Sequence, residues 1–387
     1  MRVGSLDGIS HSGFTYGASI RSSIVWSVRS GLMGFRFVLC FLVVTPFSGS
    51  PTIAQQSPGS VPSASTPGKS LTTLSATPIS PNFHEDWTAI TLESSALHSE
   101  DPVFGERDDV PGTTFIRERY QLAWRPGDPL DLYIIRPRGV PKPPVVLYLY
   151  SFPQDTDRFK DDRFCTTLIS RGFAAIGFVS AYTGHRTEFR ALNKWFVSEL
   201  QESLVTSVHD VQMILNYLAT RGDLDLDRVG MFGQGSGGSI AILASAADAR
   251  IKAIDVLTPW ADWPDWLGKS KVVPEDERAK YLTPEFLASV APLDPASWLP
   301  KVKAKSVRIR DVRRHVTVPD ICEERLEAVA PESAEIDQFG DGRAFYEAGN
   351  NLFGWIKDQL ESDGKSRTIA DKSQRVHFYP GKEETIH

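Results

Sequence analysis

Several features are scarce in this sequence of 387 residues, and each scarcity excludes a class of protein. There are three cysteines, Cys40, Cys165 and Cys322, and they form neither a C-x-x-C motif nor a Cys/His cluster, so no zinc site is indicated. Positive charge is not in excess, because the formal net charge is −6, and the chain lacks the basic surface that nucleic acid or an anionic membrane requires. We expect no metal and no cofactor.

Long apolar runs are also missing, apart from one short run near the N-terminus. Arg36 precedes the apolar residues 37–44, and small residues follow as far as Ala54. This order is typical of a secretory signal peptide, and the run is too short to span a bilayer. We predict a signal peptide within residues 1–54, with Met33 as a second plausible start. The protein would then be secreted or periplasmic without a stable membrane span, whereas an uncleaved peptide would anchor it to the membrane.

The rest of the chain divides by composition into three parts. Residues 55–82 are rich in Ser, Thr, Pro and Gly and carry no apolar repeat, so we predict a disordered linker. We assign residues 83–362 to one folded domain and residues 363–387 to a C-terminal tail. No internal repeat is present.

Strand and helix patterns alternate along the predicted domain. Apolar runs bounded by Pro and Gly predict strands, and apolar residues at helical spacing predict helices. This alternation predicts an α/β fold with a mostly parallel sheet and helices on both faces. The predicted strands cover residues 130–135, 145–150, 173–179, 229–232, 254–257 and 307–309, and the predicted helices cover residues 159–170, 204–220, 239–247 and 345–360.

A glycine-rich turn joins the strand at 229–232 to the following helix. It reads Gly233, Gln234, Gly235, Ser236, Gly237, Gly238. This segment resembles the nucleophile elbow of α/β hydrolases, near the dienelactone-hydrolase and acyl-peptidase branches, where a strand ends in G-x-S-x-G. In that alignment Gly235 stands at the position of the catalytic serine. The same letters also satisfy the dinucleotide fingerprint G-x-G-x-x-G, although that motif is expected soon after the first strand.

The resemblance implies further departures from the family's catalytic triad. His315 stands four residues before Pro319, where the family usually has its acid, and Asp311 lies nearby. Arg343 follows Gly342 where the family has its histidine. Glycine offers no nucleophile and arginine cannot accept a proton near neutral pH. We therefore predict a degenerate hydrolase homologue that binds a small ligand or a partner.

An alternative keeps the hydrolase activity with a displaced set of residues. Ser236 would serve as nucleophile, with Asp262 as acid and His185 or His377 as base. Each also has a structural interpretation: Ser236 as a polar residue at a helix start, Asp262 as a loop cap, and the two histidines as surface residues. We interpret the pair His209 and Asp210 on a helix as structural.

Two expectations concern the surroundings of the turn. Tyr150 and Ser151 follow a buried strand, and Trp260, Trp263 and Trp266 follow another, at the edge of the sheet where α/β proteins bind ligands. These residues would line a pocket, or the tryptophans would pack as a cap on the domain. The resemblance also places Cys165 and Cys322 on opposite faces of the sheet, which implies that they are not bonded to each other.

Overall fold

The computed structural model describes residues 69–73, 83–152, 157–181, 186, 196–348, 354–362 and 375–381. The predicted signal peptide and most of the predicted linker lie outside these residues. Within the described ranges, no helix combines the length and apolarity that crossing a bilayer requires.

The described strands form one sheet with the order β1-β2-β3-β4-β6-β5-β7-β8-β9-β10-β11. The first four strands pair antiparallel, as does β4 with β6, and all the remaining pairs are parallel. The predicted fold class is therefore confirmed. The strands are β1 (Lys69–Thr73), β2 (Phe104–Asp108), β3 (Phe115–Leu122), β4 (Leu130–Pro137), β5 (Pro144–Leu149), β6 (Ala174–Phe178), β7 (Asp225–Gln234), β8 (Ile251–Leu257), β9 (Ser306–Val312), β10 (Glu335–Phe339) and β11 (Val376–Tyr379).

Helices cover both faces of this sheet and produce two hydrophobic cores. Strand β5 shows the division, because Val145, Leu147 and Leu149 enter one core while Val146 and Tyr148 enter the other. Helices α2, α3 and α8 contribute to the first core, and α1, α9 and α10 contribute to the second. The helices are α1 (Asp162–Ile169), α2 (Leu200–Arg221), α3 (Ser236–Ala247), α4 (Trp263–Lys269), α5 (Arg278–Tyr281), α6 (Pro284–Val290), α7 (Pro295–Trp298), α8 (Asp320–Ala328), α9 (Gly342–Glu347) and α10 (Gly354–Glu361).

The two described cysteines lie in different cores. Cys165 on α1 belongs to the second core and Cys322 on α8 to the first, and both are buried free thiols. The prediction that they are not bonded to each other is confirmed. Burial raises the pKa of the Cys165 thiol to about 12, so neither reactivity nor metal binding is favoured there.

Three parts of the structure add detail to the sequence-based expectations. Within the stretch expected to be one helix over residues 345–360, the described residues form the end of α9, which stops at Glu347, and α10, which begins at Gly354. Strand β1 lies inside the segment predicted to be disordered, where it pairs with β2. Strand β11 lies inside the predicted tail, where it extends the sheet beyond β10.

Candidate functional site

The turn between β7 and α3 has a backbone that favours glycine. Strand β7 ends at Gln234, Gly235 has φ 54° and ψ −119°, and α3 begins at Ser236. The N–H of Gly235 donates to the carbonyl of Leu257 at 2.9 Å, and its own carbonyl accepts from the N–H of Gly238 at 3.0 Å. Any residue with a β-carbon would be strained in this conformation.

The glycines around this turn allow backbone segments to touch. A β-carbon on Gly233 would lie 2.2 Å from the carbonyl oxygen of Gly237. One on Gly237 would lie 2.3 Å from the carbonyl oxygen of Leu149 at the end of β5. The spacing of the two glycines is thus explained by the close approach of α3 to β5 and β7.

The space beside Gly235 is filled by two other side chains. A β-carbon on Gly235 would lie 2.2 Å from Oγ and 2.7 Å from Cβ of Ser151, which follows β5. It would also lie 3.2 Å from Nε1 of Trp260, which follows β8. A side chain at position 235 would therefore require both neighbours to move.

Ser236 is engaged in holding the turn. Its side chain is enclosed, with the residue 1% exposed, and its Oγ accepts a hydrogen bond from the backbone N–H of Phe152 at 2.9 Å. This bond ties the segment after β5 to the start of α3.

The other residues of the displaced constellation have partners of their own. Asp262 accepts a hydrogen bond from Arg325 at 2.5 Å, and burial raises the pKa of its carboxyl although Arg325 opposes the change. His377 lies on β11 with Nδ1 3.1 Å from Asp337. His185 lies outside the described residues. In the described part of the chain, the hydrogen bonds of Ser236, Asp262 and His377 thus lead to three different partners and do not join the three side chains.

The two residues aligned with the acid and the base also have partners of their own. His315 has Nδ1 2.9 Å from Oγ1 of Thr317, and burial lowers the pKa of its imidazole. Arg343 is exposed on α9 and donates to Glu347 at 2.6 Å. Both contacts join residues that are close in sequence, as is common for residues on the surface or in loops.

A buried carboxyl cluster lies at the end of β9, close to the position where the resemblance to α/β hydrolases implies the acid of the triad. Asp311 on β9 is fully buried, and Arg313 donates to Glu323 at 3.2 Å and to Glu327 at 2.9 Å on α8. Burial, reinforced by Glu323, raises the pKa of Asp311 well above its usual range. Burial also raises the pKa of Glu323 to about 8, although Arg313 opposes the change. Burial therefore outweighs the attraction of Arg313 and favours the neutral forms of Asp311 and Glu323.

The three tryptophans pack against one another in the core. Each is at most 1% exposed, and the ring centroids of Trp260 and Trp266 are 4.5 Å apart. Trp263 meets Trp266 edge-on at 5.8 Å, and Nε1 of Trp266 donates to the carbonyl of Thr317 at 3.0 Å. Of the two interpretations of the sequence, packing on the domain agrees with these contacts.

A network of buried charges lies between the N-terminal part of the domain and α2. Arg125 donates to Glu85 at 2.6 and 2.8 Å and also to Asp210, while Arg186 donates to Asp210 at 2.6 Å. Paired charges can be buried where unpaired ones cannot. The network comprises Glu85, Arg125, Asp128, Arg186, His209 and Asp210.

His209 completes this network through both of its ring nitrogens. Its Nδ1 lies 2.7 Å from Glu85 and its Nε2 lies 2.9 Å from the carbonyl oxygen of Ala89. These two contacts fix the imidazole between α2 and the N-terminal part of the domain. The structural interpretation of His209 and Asp210 agrees with these contacts. In the sequence, the position of His209 and Asp210 within an apolar helix indicates this structural role. No comparable pattern marks Arg125 or Glu85.

A cavity of about 770 Å³ opens beside this network. It is lined by residues 83–88, by the start of α2 and by α6. None of the five residues predicted to line a pocket, Tyr150, Ser151, Trp260, Trp263 and Trp266, lines this cavity. In the described ranges, no group of three or more His, Cys, Asp or Glu side chains is arranged to hold a metal ion.

Comparison with known proteins identifies the fold. No family model and no curated protein sequence matches this chain. Among solved structures, an acetyl xylan esterase from a Thermoanaerobacterium species superposes with a TM-score of 0.53 and 14% identity, covering 67% of this chain and 89% of the esterase. An acetyl xylan esterase from a Paenibacillus species gives a TM-score of 0.54 and 15% identity over the same shares of the two chains. The chain therefore has the α/β-hydrolase fold, with Gly235 at its strand–helix elbow.

Proposed function

We propose that this protein is an α/β-hydrolase homologue that does not use a Ser-His-Asp triad and that acts by binding a small ligand or a partner. The observation that carries the proposal is the filled space beside Gly235. Ser151 and Trp260 occupy the volume that a nucleophile's side chain would need. An elbow that had lost only its serine side chain would leave that volume open.

The chemistry of the remaining residues supports the same proposal. Gly235 has no nucleophile, and Arg343 at the histidine position is an exposed guanidinium paired with Glu347. Acyl transfer needs a base within hydrogen-bond reach of the nucleophile and an acid to orient that base. The elbow retains the N-terminus of α3, whose first N–H groups and dipole favour a carbonyl or an anion.

An esterase assay with matched serine variants tests the proposal. We expect the exported chain, Ser236→Ala and Ser151→Ala to hydrolyse p-nitrophenyl acetate at one common rate. That rate should lie at or below the roughly 10³–10⁴-fold enhancement that binding and oxyanion donors leave when a triad is removed. None of the three should be labelled by a fluorophosphonate probe.

The same assay tests the alternative, in which Ser236 is the nucleophile of a displaced constellation. Rapid turnover that Ser236→Ala abolishes would establish the displaced constellation and overturn the proposal. Turnover lost in Ser151→Ala instead would identify the hydroxyl beside Gly235 as the nucleophile.

We also propose that the protein is exported by the segment around residues 37–44. The charged, apolar and small-residue order supports this proposal. N-terminal sequencing of exported protein should find a start near Gln55. A cytoplasmic product that retains residues 37–44 would contradict it.

A further inference from the structure

The carboxyl cluster at the end of β9 joins helix α8 to the sheet. Asp311 lies on β9, and Glu323 and Glu327 lie on α8. Arg313, which directly follows β9, donates to Glu323 at 3.2 Å and to Glu327 at 2.9 Å. Gln338 on β10 donates to Glu327 at 2.6 Å. The cluster is therefore a polar contact between α8 and the ends of two neighbouring strands.

Two of these carboxyls are buried without the donors that an ionised carboxylate requires. Asp311 is fully buried and Glu323 is 1% exposed. In the described part of the chain, no N–H or hydroxyl group donates to either oxygen of Asp311 or to Oε1 of Glu323. The side-chain hydrogen bond between Asp311 and Glu327 requires a proton on one of the two carboxyls. The geometry thus favours a cluster that retains protons.

Full ionisation would leave the cluster with far more negative than positive charge. Arg313 faces four carboxyls, because Asp320 at the start of α8 also acts on it. Arg314 in the turn before α8 is exposed, and β10 contributes the uncharged Gln338. Helix α7, which also packs against α8, carries no charged residue. Buried carboxylates without compensating cations are costly, so ionisation works against the attachment of α8.

Few apolar contacts oppose the separation of α8 from the sheet. The helix has nine residues, of which Cys322 and Leu326 enter the first core. Short elements with few buried apolar contacts open locally at a lower free energy than the whole domain. Helix α8 is therefore suited to open as a unit.

Helix α8 and the loop before it also hold α4 in place. The carbonyl of Thr317 accepts from Nε1 of Trp266 at 3.0 Å. Arg325 on α8 pairs with Asp265 on α4 at 2.6 Å. Trp266 packs in turn against Trp260, which lies beside the elbow. Movement of α8 would therefore loosen the tryptophan-bearing helix next to the elbow.

We propose that α8 is a pH-dependent switch, which separates from β9 and loosens α4 when Asp311 and Glu323 release their protons as the pH rises. In the closed form the buried carboxyls stay neutral, and in the open form they are hydrated and ionise as in an unfolded chain. Burial raises the pKa of Glu323 to about 8, whereas a hydrated glutamate has a pKa near 4.5. The closed form is thus fully favoured below about pH 4.5 and loses this preference as the pH rises to about 8. The inference does not depend on the proposed ligand-binding function.

Labelling of the two buried cysteines in the purified full chain tests this inference. Cys322 lies on α8, and Cys165 on α1 is the matched control in the other core. Each rate of reaction with dithiodipyridine is divided by the rate of the same cysteine in the denatured chain, which removes the effect of pH on the thiol itself. We expect the corrected rate of Cys322 to rise at least about tenfold between about pH 5 and about pH 8. At the higher pH it should exceed that of Cys165 and depend less on urea, because local opening exposes less surface than global unfolding.

Matched variants identify the carboxyls that release the protons. Glu323→Gln and Asp311→Asn stay neutral at every pH, and each should reduce the rise in the labelling of Cys322. The double variant should nearly abolish the rise. Glu324→Gln changes the exposed neighbour on α8 and should retain the rise of the parent.

Hydrogen exchange of the unaltered chain provides a second test that needs no variant. After correction for the intrinsic effect of pH, amides of α8 and α4 should lose protection at about pH 8 before those of α2. Equal corrected labelling of Cys322 and Cys165 would show that α8 opens only with the whole domain and would overturn the switch. A pH dependence that persists in the double variant would overturn it as well. Exchange in α4 as slow as in α2 would overturn the link between α8 and α4.

Discussion

The hydroxyl oxygen of Ser151 lies 2.2 Å from the position that a β-carbon on Gly235 would occupy. Ser151 comes from the segment after β5 and Gly235 from the turn after β7, two strands that are neighbours in the sheet. At this turn, a residue without a side chain therefore stands beside a neighbour that fills the adjacent space. A serine introduced at position 235 would meet both an unfavourable φ and a steric clash.

Gly235→Ser should accordingly destabilise the protein by about 3 kcal/mol, from backbone strain and overpacking together. Adding Ser151→Gly should recover part of the loss, because it removes both atoms of the clash. Urea unfolding of the single and double variants measures the coupling.

Gly222→Ala is the matched control for this pair. Gly222 also has a positive φ, 72°, but a β-carbon there would meet nothing within 4 Å. Its cost should be about 1 kcal/mol. A Gly235→Ser variant as stable as the parent, with no gain from Ser151→Gly, would show that the space beside Gly235 is open.

Arg125→Met should destabilise the protein by about 3–5 kcal/mol. It leaves Glu85 and Asp210 buried without their main cation, and an uncompensated buried charge is costly. Arg343→Met is the control, because Arg343 and Glu347 form an exposed pair whose loss should leave the melting temperature close to that of the parent. Similar melting temperatures for the two variants would contradict a structural role for the network.

The sequence predicts the centre of this fold better than its edges. Strands β5, β6 and the second half of β7 are recognisable because strands buried on both faces are nearly continuous apolar runs, and the elbow is recognisable because its glycines are required by backbone contact. Strands β1 and β11 carry no such run, since edge strands are only partly covered. Their positions depend on pairing with β2 and β10.

In the candidate site, too, local features can be predicted from the sequence and packing between distant segments cannot. That Gly235 stands at the elbow is a local property of the sequence. That Ser151 and Trp260 fill the space beside it depends on the packing of three strand ends, which no spacing in the chain encodes. The charge network is equally non-local, since Glu85 and Arg125 are 40 residues apart.

Lowering the pH should reduce the folding stability of the protein through Glu85. Burial alone would raise the pKa of this carboxyl, but hydrogen bonds from His209 and Arg125 override burial and lower the pKa to about 2. A depressed pKa in the folded state stabilises the fold above about pH 4.5, and this stability is lost as the pH falls towards about 2. We expect a loss of about 3 kcal/mol over that range.

Glu85→Gln tests this source of acid sensitivity. The variant should be less stable than the parent at neutral pH and should lose less stability on acidification. Glu93→Gln, at an exposed position nearby, should follow the parent curve. Identical acid unfolding of Glu85→Gln and the parent would contradict the assignment.

Raising the pH should lower the stability of the protein through Glu323 in the carboxyl cluster at the end of β9. Burial raises the pKa of Glu323 to about 8, so the folded protein retains a proton that the unfolded chain releases near pH 4.5. The free energy of unfolding should therefore fall as the pH rises from about 5 to about 8, by more than about 1 kcal/mol.

Glu323→Gln remains neutral throughout and should flatten this fall, and Asp311→Asn should flatten it further. Glu324→Gln changes the neighbouring exposed carboxyl and should leave the fall intact. Guanidinium chloride unfolding at a series of pH values measures the slopes, and a slope that Glu323→Gln leaves unchanged would show that this carboxyl is ionised in the folded protein.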